Sequence, residues 1–329
     1  MAAHDIIVVG TSAGGLEALQ TLVKPLPTDF PGSIFIVQHI APDSPSFLPV
    51  ILSRAGALPV AHAVDNELIK PGRIYVAAPD WHLGLKPGRV RVFRGPKENR
   101  HRPAIDPLFR SAARAYGERV VGVILTGTLD DGALGLRAVS ECGGVTMVQH
   151  PDDANFPEMP LNALKSGQVG YCLPIQKIPA ILNRLARKKL GRKKTESMSP
   201  ALRKEVDLDD RTLRPDEMEK TFGPPSGFIC PQCNGPLWEL KDGKTTFFRC
   251  IVGHAFSPEN LLADENEVLE RSLWVAVKTL EERATLLRHL AARAAETQQT
   301  ITMGSFREKA EACERHARII REILYHPEK

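Results

Sequence analysis

A chain of 329 residues, 43% hydrophobic and 25% charged, has the length for two or more domains and the composition of a folded globular protein. No basic leader precedes an apolar stretch and no 18-residue apolar run occurs, so neither export nor membrane insertion is expected, and the expected location is the cytoplasm. The net charge of +4 is concentrated in residues 187–194, a solvated helix end and not a nucleic-acid contact, and six cysteines without an export signal argue for metal or free thiols over disulfides.

The first element sets the plan. Ile6 to Val9 is apolar without polar alternation, the pattern of a strand buried on both faces of a parallel sheet. It breaks into Gly10-Thr-Ser-Ala-Gly-Gly15 and then a helix from Leu16. Gly10 to Gly14 fits G-x-S-x-G, a sharp strand-to-helix turn that exposes a serine beside free helix N–H groups. The same turn could cradle a phosphate. Ser33 to His39 reads as a second buried strand. A dinucleotide fold would want an acidic residue near its end; Gln38-His39 stands there instead, leaving an imidazole at the carboxyl edge of the sheet.

Residues 72–95 alternate in short strands with turns at Pro87-Gly88, an expected antiparallel excursion, and His62 and His82 within this region are read as ordinary surface or core histidines. Asp106 is an expected N-cap with Pro107 opening the next helix. Arg119 to Thr126 is the strongest buried strand and runs into Gly127-Thr-Leu-Asp-Asp-Gly132, where a carboxylate could cap the following helix, complete a triad, or the two could do one job each. Val145 to Val148 and Gln168 to Leu173 are further strands, and a helix over 175–190 closes the domain.

Gly10-Thr-Ser-Ala-Gly-Gly15, Gln38-His39, Asn99-Arg-His-Arg-Pro103, Val123-Ile-Leu-Thr-Gly127 with Asp131-Gly132, and Met159-Pro160, in this order, resemble the catalytic domain of the chemotaxis receptor methylesterases, the CheB family. The resemblance covers roughly residues 4–190 and implies a doubly wound, mostly parallel α/β domain that hydrolyses glutamyl methyl esters on chemoreceptors or a related signalling protein, and often deamidates glutamines there. Carried over, Ser12 is the nucleophile, His39 the general base and Asp131 its orienting carboxylate. The expected oxyanion donors are the backbone N–H groups of Ala13 and Thr128, with no catalytic cofactor. Two departures follow. Thr128-Leu-Asp-Asp131 replaces the family's usual Met-Gly-Asn-Asp, and no receiver domain precedes residue 4, so another mode of regulation is expected.

The C-terminal half is expected to hold a linker over 191–226, a zinc-ribbon-like module over 227–260 and a helical hairpin over 261–329. Cys230-Pro-Gln-Cys233 and, after sixteen residues, Cys250-Ile-Val-Gly-His254 flank a β-hairpin with a turn at Asp242-Gly243. Cys230, Cys233, Cys250 and His254 suit a closed structural zinc site. Cys142, Cys172 and Cys313 are expected to be ordinary buried residues. Two apolar seams, Leu273 to Ala294 and Phe306 to Leu324, predict antiparallel helices around a break at Thr302-Met-Gly304, a place for a regulator or methyltransferase partner. Competing readings are a nucleotide-binding enzyme and a signalling adaptor whose esterase-like domain is inert.

Overall fold

The computed structural model describes residues 3–165, 169–190, 214–242 and 245–326. The chain divides into two compact units, Met1–Leu261 and Leu262–Lys329.

The first unit is built on strands β1 (Ile6–Thr11), β2 (Ser33–Gln38), β3 (Val60–His62), β4 (Ile74–Val76), a hairpin of β5 (His82–Lys86) and β6 (Arg89–Phe93), then β7 (Val120–Ile124), β8 (Val145–Gln149) and β9 (Tyr171–Leu173). Seven of them form one sheet in the order β3-β4-β2-β1-β7-β8-β9, parallel throughout. The antiparallel excursion is narrower than the sequence suggests: β4 joins the main sheet, and only β5 and β6 pair antiparallel.

Helices α1 (Gly15–Val23), α2 (Leu48–Ala55) and α6 (Ile178–Arg187) lie on one face of the sheet, and α3 (Ile105–Tyr116), α4 (Ala133–Glu141) and α5 (Glu158–Lys165) on the other. This is why β1 carries no polar alternation. Ile7 and Val9 face one cluster and Val8 the other, all 0% exposed, each side chain contributing about 1.5–3 kcal/mol on burial. The chain leaves β1 toward β2 on one side and returns to β7 on the other. The crevice at this reversal is where open α/β sheets bind ligands. Gly10 lets α3 approach closely: a Cβ there would meet Ile105 Cγ2 at 2.3 Å.

Residues 214–261 complete this unit. Within the stretch expected to be linker, Pro215–Phe222 forms a helix, α7, because Met218 has a partner surface. It is buried with Trp238, Leu240 and Phe247 in a cluster that also touches Leu134 of α4. Strands β10 (Leu237–Asp242), β11 (Thr245–Cys250) and β12 (Ala255–Phe256) form a small antiparallel sheet. The turn expected at Asp242-Gly243 lies partly outside the described residues, as do 191–213 and Gln168.

The second unit is a helical pair, formed by α8 (Pro258–Glu296), which begins in the first unit, and α9 (Thr300–Tyr325). Ala284, Leu287, Ala310 and Cys313 make its seam, and Arg288 grips Glu314 through two bonds of 2.8 and 2.9 Å. The break falls at Thr297–Gln299, not at Gly304. Gln298 takes the left-handed conformation that turns the chain (φ 56°), while Gly304 sits in open space, where a helix tolerates it at about 1 kcal/mol. Among the described residues no helix is long and apolar enough to cross a membrane.

Candidate active site

Ser12 stands directly after β1, held from three directions. Its N–H donates to the carbonyl of Thr126 (3.0 Å), and its own carbonyl accepts from Gly15 N–H (3.0 Å) and from Gln38 Nε2 (2.7 Å). Gly14 supplies the left-handed step (φ 72°) that caps α1, a conformation most side chains resist. The end of β7 is tied in as well, since Thr11 Oγ1 donates to Thr126 O (2.8 Å) and Thr126 Oγ1 to Ala13 O (3.0 Å).

His39 follows β2, the neighbouring strand. Its Nδ1 lies 3.2 Å from Ser12 Oγ and its Nε2 2.8 Å from Asp131 Oδ2. The imidazole therefore carries its proton on Nε2 toward the carboxylate and offers the Nδ1 lone pair to the serine, the reverse of the ring orientation in trypsin-like enzymes.

Asp131, 2% exposed, collects donors besides His39. Oδ2 accepts from Ile105 N–H (2.7 Å); Oδ1 accepts from Asp106 N–H (3.2 Å) and from Asn99 Nδ2 (2.9 Å). Burial opposes its charge, but the hydrogen bond and charge of His39, with the donors Ile105 and Asn99, outweigh it and hold the carboxyl well below its usual range. Asp106 shows the opposite balance. Burial first, then the charge of Asp131, pushes it well up. It does not cap its own helix: Ala104 occupies the N-cap of α3, so Pro107 is not the first helical residue either. The Asp106 carboxyl crosses instead to Gly135 N–H (2.6 Å) and Asn99 Nδ2 (2.8 Å). Gly132 caps α4, with no side-chain bond, so neither Asp130 nor Asp131 serves as its side-chain cap.

The backbone N–H groups of Ala13 and Thr128 meet no acceptor among the described residues. Directly after Thr128, Leu129 adopts a left-handed conformation (φ 61°), costly for a leucine. Glu158 Oε2 accepts from its N–H (2.8 Å) and Asn162 Nδ2 donates to its carbonyl (2.8 Å), which fixes the turn from α5.

Two participants have no role assigned from sequence, and Asp130 does not take the capping role the sequence offers. His101 stacks on His39 with ring centroids 3.6 Å apart. Asn99 bridges Asp106 and Asp131. Asp130 faces neither solvent nor the helix end: its Oδ1 accepts from Ser257 Oγ (2.7 Å) and from Asn260 Nδ2. Burial, then the charges of Glu259 and Asp131, push its carboxyl up to about 7 against the pull of Ser257 and Asn260. An open cavity of about 480 Å³ fronts the serine, lined among others by Ser12, Ala13, His39, Lys97, Arg100 and His101.

A second cluster lies in the small sheet. The ligand atoms of Cys230, Cys233, Cys250 and His254 fall within 4.8 Å of one another. Cys233 and Cys250 sulfurs are 3.6 Å apart, and His254 Nδ1 lies 3.5 Å from Cys250 Sγ and 3.7 Å from Cys230 Sγ. A tetrahedral zinc with Zn–S of about 2.3 Å and Zn–N of about 2.0–2.1 Å requires edges of roughly 3.5–3.8 Å, so the donor set fits zinc.

A doubly wound sheet with serine, histidine and aspartate in hydrogen-bonding sequence at its switch point has the layout of a serine-type hydrolase, in a chain order unlike that of trypsin-like enzymes, subtilisins or α/β-hydrolases. Residues 7–182 match the family described as CheB methylesterase, and the chain belongs to that family. A crystal structure of the Thermotoga maritima CheB methylesterase catalytic domain superposes with a TM-score of 0.53 at 37% identity, covering 55% of this chain and 98% of that one. The Anaeromyxobacter dehalogenans protein-glutamate methylesterase/protein-glutamine glutaminase 2 is 38% identical over 183 residues, 56% of this chain and 54% of its own. This chain thus spans about half of that relative. A Leptospira interrogans relative, bearing the same two-activity name in provisional form, is 39% identical over 183 residues and is matched over 95% of its length.

Proposed function

We propose that this protein is a protein-glutamate methylesterase that hydrolyses glutamyl methyl esters, and deamidates glutamines, on methylated chemoreceptors or a related signalling protein in the cytoplasm. The observation that carries the reading is the continuous line Ser12 Oγ, His39, Asp131, with links of 3.2 and 2.8 Å.

In this mechanism His39 Nδ1 takes the Ser12 proton as Oγ attacks the ester carbonyl. Asp131 stabilises the imidazolium through its Nε2 proton. The N–H groups of Ala13 and Thr128 stabilise the oxyanion. The intermediate collapses, His39 returns the proton to the departing methoxide, and methanol leaves. Water, deprotonated by His39, then releases the glutamate and restores Ser12. A glutamine substrate follows the same course with ammonia leaving. Lys97 and Arg100 beside the cavity suit a receptor surface rich in carboxylates. An inert adaptor is not favoured, because nothing selects for these links in a domain without chemistry.

Cys230, Cys233, Cys250 and His254 hold a structural zinc in this reading, with no part in the bond-breaking steps. The exposed Leu269, Val275, Ile319 and Ile323 of the helical pair support a docking role there for a regulator or methyltransferase. The direct test is methanol release from methylated receptor by wild type and Ser12→Ala. Release by wild type alone supports the proposal; equal release by both contradicts it.

A further inference from the structure

Asp131 receives two backbone donors from α3, but its third, Asn99 Nδ2, comes from a loop whose neighbour Glu98 is anchored to Arg110 (2.9 and 3.0 Å) while Asn99 itself is held from elsewhere. Asn99 and Arg100 are both left-handed (φ 46° and 71°). Support comes from the polypeptide just after the metal cluster. Asn99 N–H donates to Ala255 O (2.8 Å), Asn99 Oδ1 accepts from Ser257 N–H (3.1 Å), and Glu98 forms a parallel bridge with Ala255.

These contacts also orient the amide. With Oδ1 engaged by Ser257 N–H, Nδ2 must face the carboxyls of Asp106 and Asp131. Turned the other way, Asn99 would present an oxygen to an ionised carboxylate. The same segment holds the adjacent residue of the turn, through Ser257 Oγ and Asn260 Nδ2 to Asp130. Ser257 Oγ in turn accepts from Asn260 N–H (3.1 Å) at the start of α8. The segment begins one residue after His254, whose carbonyl accepts from Cys250 N–H (3.0 Å), so the metal cluster fixes its origin.

Resting on the triad reading above, we propose that residues 255–260 are a positioning element of the active site: by clamping Asn99 and the Asp130–Asp131 turn they hold Asp131 in register with His39, and catalysis therefore depends on a folded, metal-loaded ribbon. Ser257 and Asn260 touch no reacting atom. Their effect passes through Asn99 and Asp130, and loss of a charge-assisted bond to Asp131 should appear in kcat and not in KM.

The test uses the full chain, zinc-loaded, on a small methyl ester. Ser257→Ala with Asn260→Ala should lower kcat roughly 10-fold at unchanged KM, the scale of one hydrogen bond to a charged group. Ser257→Thr should restore the rate of the Ser257→Ala single variant. Asn99→Ala cuts the other route, through the Ser257 backbone N–H, and should add its own loss to that of the pair. The low-field proton resonance of the His39–Asp131 hydrogen bond, absent in His39→Ala, should shift or broaden in the double variant while its zinc content and circular dichroism stay those of wild type. That resonance is read without substrate, so it judges the clamp even if the esterase reading fails; Ser12→Ala turnover judges that reading alone. If the double variant does not fold, Asp130→Ala severs the Ser257 and Asn260 contacts from the catalytic side and should give the same kcat loss. Unchanged kcat and an unchanged resonance in folded variants would overturn the proposal.

Discussion

His101 lies flat against His39, ring centroids 3.6 Å apart and planes 14° from parallel. In the proposed mechanism His39 becomes an imidazolium in the transition state, and an aromatic face against it would both fix its plane and stabilise its charge. His101 itself stays neutral: burial first, then the proximity of His39, lowers its pKa to about 3. His101→Ala should therefore reduce kcat/KM by roughly 3–10-fold, the scale of one ring pair, whereas His101→Phe should retain most of the rate. Steady-state kinetics on both variants check this.

The same burial has a consequence for stability. His82, 1% exposed, is also lowered, by burial before any other cause. Where a histidine binds its proton less readily folded than unfolded, the unfolded chain takes up more protons as pH falls below the ordinary imidazole value. Both residues thus contribute stability that is present above about pH 6.5 and is lost progressively toward pH 3, near the folded value of His101. The thermal midpoint should fall between pH 7 and pH 5, less steeply in His101→Phe than in wild type.

Asp131 and Asp130 should answer differently to the same substitution. Asp131→Asn leaves the geometry but favours the wrong imidazole tautomer, with an expected loss on the order of 10⁴ in kcat. Asp130→Asn keeps an oxygen that can accept from Ser257 and Asn260, so turnover should change less than roughly 3-fold, an ordinary effect of a near-isosteric change. Because burial raises the Asp130 carboxyl to about 7, its ionisation in the unfolded chain favours unfolding as pH rises above the ordinary carboxylate value. Asp130→Asn should accordingly be more stable than wild type at pH 8. Paired melting curves and kinetics test both statements.

Zinc should be stoichiometric, and chelation should unfold the small sheet, whose own core is a handful of residues around Leu237, Phe248 and Phe256. Because the bond-breaking steps use no metal, sequence alone predicts that chelation spares the rate. The contacts of Ala255 and Ser257 with Asn99 reverse that expectation: chelated protein should lose activity, roughly 10-fold for the loss of one bond to the buried carboxylate, and regain it on adding zinc. Metal analysis with hydrogen exchange over residues 227–260 follows both events.

Ser12 and His39 were legible because each directly follows a buried strand, and apolar runs and glycine turns are local signals; the choice of Asp131 over Asp130 rested on the family resemblance. The clamp was not legible. Asp130 meets Asn260 across 130 residues of sequence, and no periodicity reports a contact of that range. The helix at Pro215–Phe222 escaped for the same reason: only Met218 and Phe222 meet Trp238, Leu240 and Phe247, and two apolar residues in eight make a short stripe. Asp106 looked like a cap because it precedes a helix; Asn99 and Gly135 draw it elsewhere. The helical break was placed at a glycine, although Gln298 makes the turn.

The proposed mechanism turns on Ser12 as the nucleophile activated by His39. That role is met most directly by treating the full chain with a serine-reactive phosphonate ester and locating the adduct by peptide mass spectrometry. A single adduct is expected on Ser12, slowed by His39→Ala on the order of 10³-fold or more and absent in Ser12→Ala. An adduct on another residue, or labelling of Ser12 at the wild-type rate in His39→Ala, would contradict that role.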